Sequence, residues 1–311
     1  MCMAVSLLFL QNALCLDKKQ SLATSHYIMG VMYDDIGDVE GAIEEYKKAL
    51  RTDDQSSVIH LNLAGSFIKN NNIPAAVEEL KLAIKLDPEA VTPHAILAIL
   101  YVSQNKSELA TKEYESALMN ASKVQPENVD IYRKLGEIYI HQKKFKEAEG
   151  TFRLILKLSP GDPKAHFNLA NIYDELKDRK MAEGELKKAL ELKSDYYEAM
   201  NYLGYLYAEE NRNLEEAELL IKKALEFEQA NGAYLDSLGW VYFKKGKIDD
   251  ALRDLEKAST LLEDAVIYEH IGDVYLKKNN LQKAKLNWEK SLGLDPKQNK
   301  VKEKIQQLRG R

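Results

Sequence analysis

The side chains with the most chemical reach in this sequence are its six histidines, and four of them keep a beat. His26, His60, His94 and His166 follow one another at 34, 34 and 72 residues. Four imidazoles would hold a zinc ion if their nitrogens converged to about 2 Å from it. The beat argues against that, because side chains one helical repeat apart stand roughly 10 Å from each other. They are expected to be partly buried packing residues, with no metal and no cofactor. His141 and His270 have no Cys, Ser or carboxylate at a spacing diagnostic of nucleophilic catalysis. The chain also lacks a G-x-x-x-x-G-K-[ST] phosphate loop, a G-x-S-x-G elbow, an H-E-x-x-H zinc helix and a G-x-G-x-x-G turn. No catalytic residue is expected, and the chain does not read as an enzyme. Both cysteines, Cys2 and Cys15, lie in the first fifteen residues. Beyond them nothing can form a disulfide or a thiolate metal cluster.

The histidines are one column of a longer pattern. Small residues stand at Gly30, Ala64, Ala98, Gly136, Ala170, Gly204, Gly239 and Gly272, separated by 34, 34, 38, 34, 34, 35 and 33 residues. Three residues after each comes a ring: Tyr33, Phe67, Tyr101, Tyr139, Tyr173, Tyr207, Tyr242 and Tyr275. With aromatics at 8% of the composition, eight rings in eight slots would arise by chance about once in a billion sequences. An alanine column follows at Ala42, Ala76, Ala110, Ala148, Ala182, Ala217, Ala251 and Ala284, and a bulky apolar residue stands four after each, from Tyr46 to Trp288. Apolar positions recur at three and four residues, which draws one stripe on each helix. Gly and Asn cluster midway through the units, at Gly37-Asp38, Asn70-Asn71-Asn72, Gln104-Asn105, Asn211-Arg212-Asn213, Gly246 and Asn279-Asn280, where they tolerate left-handed backbone. Each unit is therefore expected to be a hairpin of two antiparallel helices, its small first-helix residue facing an alanine of the second. One hairpin cannot bury both faces, so neighbours must stack.

These columns resemble the tetratricopeptide repeat, W-x2-L-G-x2-Y, then A-x3-F, then A, then P. The resemblance implies an all-α fold, a right-handed α-solenoid of eight helix hairpins plus a C-terminal capping helix. The units are placed at 23–56, 57–90, 91–128, 129–162, 163–196, 197–231, 232–264 and 265–298, in one elongated domain. Four extra residues near Ser122 to Gln125 are expected to lengthen the second helix of the third hairpin or its exit. Val301, Ile305 and Leu308, spaced for one helical face, mark 299–311 as the cap.

In this family ligands usually lie in the concave groove lined by first helices. The repeat phase points Phe167, Asn168, Asn171, Asn201, Tyr202, Tyr205, Asp236, Ser237, Trp240 and Phe243 into it, and these are the candidate partner-binding residues. Asn can hydrogen-bond the backbone of an extended peptide, and Tyr and Trp offer large contact area at small entropic cost. The bland reading, that Tyr205, Trp240 and Phe243 pack adjacent units, stays open. A second, apolar stretch of groove is expected from Tyr27, Ile28, Val31, Leu61, Ile96 and Ile99, suited to an amphipathic helix, another copy of the chain or its own N-terminal segment. The family's carboxylate clamp is not reproduced.

With 44 basic and 49 acidic residues and a net charge of −5, no nucleic acid is expected as the main ligand; the expected partner is a protein or peptide. A homo-oligomer remains open. Met3 to Leu10 is an uncharged apolar run, read as part of a secretory signal over residues 1–15 with 16–22 as a lead-in. That reading makes the protein periplasmic or otherwise exported. The other reading is a half repeat, because Ala13 to Asp17 echoes Ala83 to Asp87; the protein would then be cytoplasmic. Membrane attachment is expected only through a partner or an uncleaved N-terminal segment. The stretches from Leu235 to Phe243 and from Tyr268 to Leu276 resemble bacterial cell-envelope tetratricopeptide proteins, including lipoprotein adaptors that bind and activate a periplasmic protease. That likeness implies an envelope scaffold or adaptor, the alternative being a structural subunit of an envelope enzyme or of a polysaccharide synthesis or export complex.

Overall fold

The computed structural model describes the backbone of residues 2–309 and the side chains of residues 18–308. Among the described residues there are seventeen α-helices and no strand. One compact unit, Met1–Lys143, holds α1 (Cys2–Asp35), α2 (Val39–Thr52), α3 (Ser57–Lys69), α4 (Ile73–Leu86), α5 (Val91–Ser103), α6 (Ser107–Val124) and α7 (Val129–His141). A second, Lys144–Arg311, holds α8 (Phe145–Leu158), α9 (Pro163–Glu175), α10 (Arg179–Leu192), α11 (Tyr197–Glu209), α12 (Leu214–Phe227), α13 (Gly232–Lys244), α14 (Ile248–Leu261), α15 (Ala265–Lys277), α16 (Leu281–Leu294) and α17 (Asn299–Arg309). In the first unit α1 pairs with α2, α3 with α4 and α5 with α6. In the second α9 pairs with α10, α11 with α12, α13 with α14 and α15 with α16. No helix among the described residues is long and apolar enough to cross a membrane.

The turns show why the chain folds back where it does. The residue seven after each small position takes left-handed backbone: Gly37, Asn71, Asn105, Lys143, Lys177, Asn211, Gly246 and Asn279, with φ between 52° and 82°. The next N–H then reaches back to the carbonyl of the ring residue that closes the helix, as from Asn72 to Phe67 and from Asp178 to Tyr173, both at 2.8 Å. Such a bond satisfies a helix-end carbonyl that would otherwise be orphaned. Gly and Asn reach this backbone cheaply; Lys143 and Lys177 do not, and nothing in their side-chain type announces the turn. The helix that follows is often capped by the residue before it. Asp38, Asn72, Asp178 and Asn280 each accept an N–H from the first turn.

The small column does more than face an alanine. A Cβ on Gly30 would lie 2.5 Å from the Tyr46 ring, on Gly204 2.6 Å from Ile221, on Gly239 2.7 Å from Leu255 and on Gly272 2.3 Å from Trp288. The small residue therefore makes room for the bulky side chain four beyond the alanine, and the carbonyls of Ala217 and Ala251 come close to Gly204 and Gly239 as well. Volume is balanced large against small across the hairpin, as close packing requires. Tyr46, Leu80, Phe152, Leu186, Ile221, Leu255 and Trp288 are all at most 1% exposed in that slot. Tyr114 departs from the column at 41% exposed, on the one second helix that runs to 18 residues where the others run to 14.

The two ends differ. Helix α1 runs unbroken from Cys2 to Asp35, so the 16–22 lead-in is helical. The side chains of residues 1–17 lie outside the described residues, and the expected leader or half repeat lies there with them. At the other end Val301 and Ile305 of α17 are buried, and Lys304 reaches Glu269 and both carboxylate oxygens of Asp273 on α15 at 2.7 Å.

Candidate functional site

Helices α9, α11 and α13 are the first helices of successive hairpins in the second unit, and α13 packs against both α11 and α15. On α11, positions 198, 201, 202 and 205 fall at i, i+3, i+4 and i+7, one face of a helix. That face opens on a concavity of 370 Å³. Phe167 and Asn171 of α9, Asn201, Tyr202 and Tyr205 of α11, and Asp236 and Ser237 of α13 line it together. Seven of the ten candidate residues thus meet at one place. Glu198, Ala233, Tyr234 and Val266 complete the lining and were not singled out in the sequence. Extending the α11 stripe back one turn would have found Glu198. Tyr234 carried no such signal, because the equivalent slot holds Ala165, Ala199 and Ile267 elsewhere.

Carboxylates surround this concavity. The Tyr202 hydroxyl donates to Asp174 at 2.9 Å, and the Phe167 and Tyr202 rings meet edge to face at 6.2 Å. Burial first, and nearby carboxylates second, hold the phenols of Tyr202, Tyr205 and Tyr234 well above the usual tyrosine range. Asp236 lies 2.8 Å from Nδ1 of His270, one repeat further on. Burial alone would lower the His270 pKa, but Asp236 outweighs it and holds the ring above the ordinary imidazole value. Two buried oxygens of the lining, Oε2 of Glu198 and Oδ1 of Asn201, have no hydrogen-bond partner among the described residues. Leaving such an atom unsatisfied costs about 1–3 kcal/mol.

The other three candidates sit apart. Asn168 donates to the Lys164 carbonyl of its own helix at 2.9 Å. Trp240 is buried at 7% exposed, its indole N–H donating to Glu209 at 2.7 Å and its ring stacked on His270 at 3.9 Å and on Phe243 at 5.0 Å. These contacts place Trp240 in the packing between hairpins, while Phe243 stacks on it within the same helix. In the first unit Tyr27, Val31, Leu61 and Ile96 pack half-buried against the core, whereas Ile28 and Ile99 are exposed at 51% and 57%.

The histidine column has a role the sequence reading missed. His26, His60, His94 and His166 each place Nδ1 2.5–2.6 Å from a glutamate 19 residues on, respectively Glu45, Glu79, Glu113 and Glu185. Each pair joins the two helices of one hairpin. The recurrence of Glu 19 residues after each of these four histidines is readable in the sequence. His270, which has no carboxylate at a spacing diagnostic of nucleophilic catalysis, pairs with Asp236 one repeat before it. Among the described residues no group of three or more His, Cys, Asp or Glu is placed to hold a metal ion.

Sequence profiles described as tetratricopeptide repeat match residues 37–100, 96–163, 163–196, 232–270 and 265–298. The chain belongs to the tetratricopeptide-repeat family. Over 75 residues, 24% of the chain, it is 37% identical to a TPR repeat-containing protein of Pseudomonas aeruginosa, and that match spans 13% of the Pseudomonas protein. A tetratricopeptide repeat protein from Parabacteroides merdae superposes with a TM-score of 0.60 at 21% identity, covering 82% of this chain and 99% of that one. The APC/C hetero-tetramer Cut9–Hcn1 gives a TM-score of 0.60 at 17% identity over 87% of this chain and 52% of that one. At these identities the two structures speak for the fold alone. Tetratricopeptide-repeat proteins act as protein-interaction scaffolds, binding proteins or peptides.

Proposed function

We propose that this chain is a non-catalytic scaffold or adaptor of the bacterial cell envelope that holds a peptide or partner protein on the face shared by α9, α11 and α13. The concavity on that face carries the reading: aromatic side chains from three successive hairpins converge with two unsatisfied polar atoms of α11 on one opening. Aromatic rings supply contact area, and polar atoms without partners supply specificity, which is what a peptide-binding surface needs. The placement in the envelope is supported by the uncharged run from Met3 to Leu10 and by the resemblance of the last two repeats to envelope adaptors.

A photo-crosslinking residue introduced at Tyr205 tests the binding face in native cells. Discrete covalent adducts are expected from Tyr205, and none from the same residue placed at Leu219, which is 54% exposed on α12. The same adducts from both positions, or none from Tyr205, would defeat the assignment. Fractionating those cells tests the compartment, since the mature chain should be released with envelope contents.

A further inference from the structure

We infer that the concavity between α9, α11 and α13 is a receptor for one basic side chain, lysine or arginine, presented by a bound polypeptide; this rests on the scaffold reading above and names what the face grips. The lining holds two carboxylates, Glu198 and Asp236, and no Lys, Arg or His. Asp236 is engaged by His270 at 2.8 Å. The neighbouring carboxylates are engaged as well. Asp174 accepts from Tyr202 and faces Arg179 at 3.6 Å; Glu209 accepts from Trp240 and faces Arg179 at 3.8 Å. Glu198 is the exception, because its buried Oε2 has no hydrogen-bond partner among the described residues.

One turn along α11, Oδ1 of Asn201 is in the same condition. Two acceptors with nothing donating to them call for a ligand made of donors. A peptide amide offers one N–H, a lysine ammonium three and an arginine guanidinium five, the last two with the positive charge that Glu198 lacks beside it. An acidic side chain would set more acceptors against a carboxylate, and an aliphatic one would leave both oxygens unpaired. The walls agree with a cation: Phe167, Tyr202, Tyr205 and Tyr234 bring four aromatic rings to the lining, and a cation is attracted to an aromatic face within about 6 Å. At 370 Å³ the space admits a side chain and no folded element. Burial first and the neighbouring carboxylates second raise the phenols of Tyr202 and Tyr205, and the carboxylate part of that effect is a negative field that a bound cation would relieve.

The test uses the full chain with labelled tyrosines, titrated with Nα-acetyl-arginine amide and Nα-acetyl-lysine amide and followed by NMR. Nα-acetyl-citrulline amide serves as the neutral isostere. Saturable shifts at Tyr202 and Tyr205 are expected with the cationic probes, at about tenfold lower concentration than with citrulline amide, a factor worth about 1.4 kcal/mol. Glu198→Gln should abolish that preference. Glu198→Asp, which only withdraws the carboxylate by one methylene, should weaken it without changing thermal unfolding. Equal binding of citrulline amide, or a preference unchanged in both variants, overturns the proposal. Selection of a displayed random-peptide library separates the two readings. Enriched peptides without Lys or Arg that bind Glu198→Gln equally well would overturn the basic-side-chain pocket and leave the scaffold standing. Binding of arginine amide with no peptide enriched would sustain the pocket and count against the scaffold.

Discussion

Ile99 on α5 and Trp240 on α13 occupy the same position of the repeat, one residue after the small slot, yet Ile99 is 57% exposed and Trp240 7%. Two residues before the small slot the contrast returns: Ile28 of α1 is 51% exposed, whereas Ser237 of α13 and His270 of α15 are 4% and 5%. The helical register is common to all of these, so register does not decide what is covered. Neighbours do. Trp240 has an imidazole of the next hairpin to stack on and a glutamate of the preceding one to receive its N–H. An isoleucine can do neither, and around α5 the first-helix face stays apolar and open. An amphipathic aromatic can tie three successive hairpins together where an aliphatic residue only fills space.

The largest test of this contrast is truncation at the shared slot. Trp240→Ala is expected to destabilise the second unit by about 3–5 kcal/mol, and Ile99→Ala to change the first by no more than about 0.5 kcal/mol. Urea unfolding followed by circular dichroism measures both, and equal losses would break the comparison.

Acid sharpens it next, because two carboxylates held far below their ordinary value, Glu183 and Glu218, lie in the second unit. Burial pushes Glu183 up, but hydrogen bonds from Lys187 and Arg212 outweigh it and hold the carboxyl at about 2. Glu218, bound by Lys222 and Lys245 against the same burial cost, also lies at about 2. Both titrate lower folded than unfolded, so the stability they contribute is whole above the ordinary value of 4.5 and is lost as the pH falls towards 2. Thermal midpoints recorded between pH 5 and pH 2 should fall through that window. Charge-neutral variants at Glu183 and Glu218 should flatten the fall, and a profile unchanged in them would remove these pairs from the account.

The smallest effect compares two turns. Gly37 and Lys177 hold the same left-handed position at φ 82° and 65°, one in each unit. Lys177→Gly relieves the Cβ strain while adding freedom to the unfolded chain, for a net gain of about 0.5 kcal/mol. An unchanged or lower urea midpoint would mean that the lysine is not strained there.

Much of this was legible before any coordinates. The hairpin pattern follows from columns of rings and small residues, and six of the eight left-handed turns were marked by Gly or Asn. Lys143 and Lys177 were not, because a turn imposed by the repeat does not need a permissive residue. Seven candidate binding residues meet at one concavity because side chains in phase on parallel helices point the same way. Trp240 is in phase too, and its burial depends on His270 and Glu209 of the neighbouring hairpins.

By itself the sequence determined the elements, their pairing and the face each side chain would take, because those depend on local spacing along helices of fixed pitch. Only the tertiary structure decided which side chains on that face are spent on one another and which remain open. Trp240, Asp236 and Glu209 satisfy partners one hairpin away, while Glu198 and Asn201 keep bare oxygens in the same wall. Satisfaction of a polar group is a property of three-dimensional neighbours, and no periodicity encodes it.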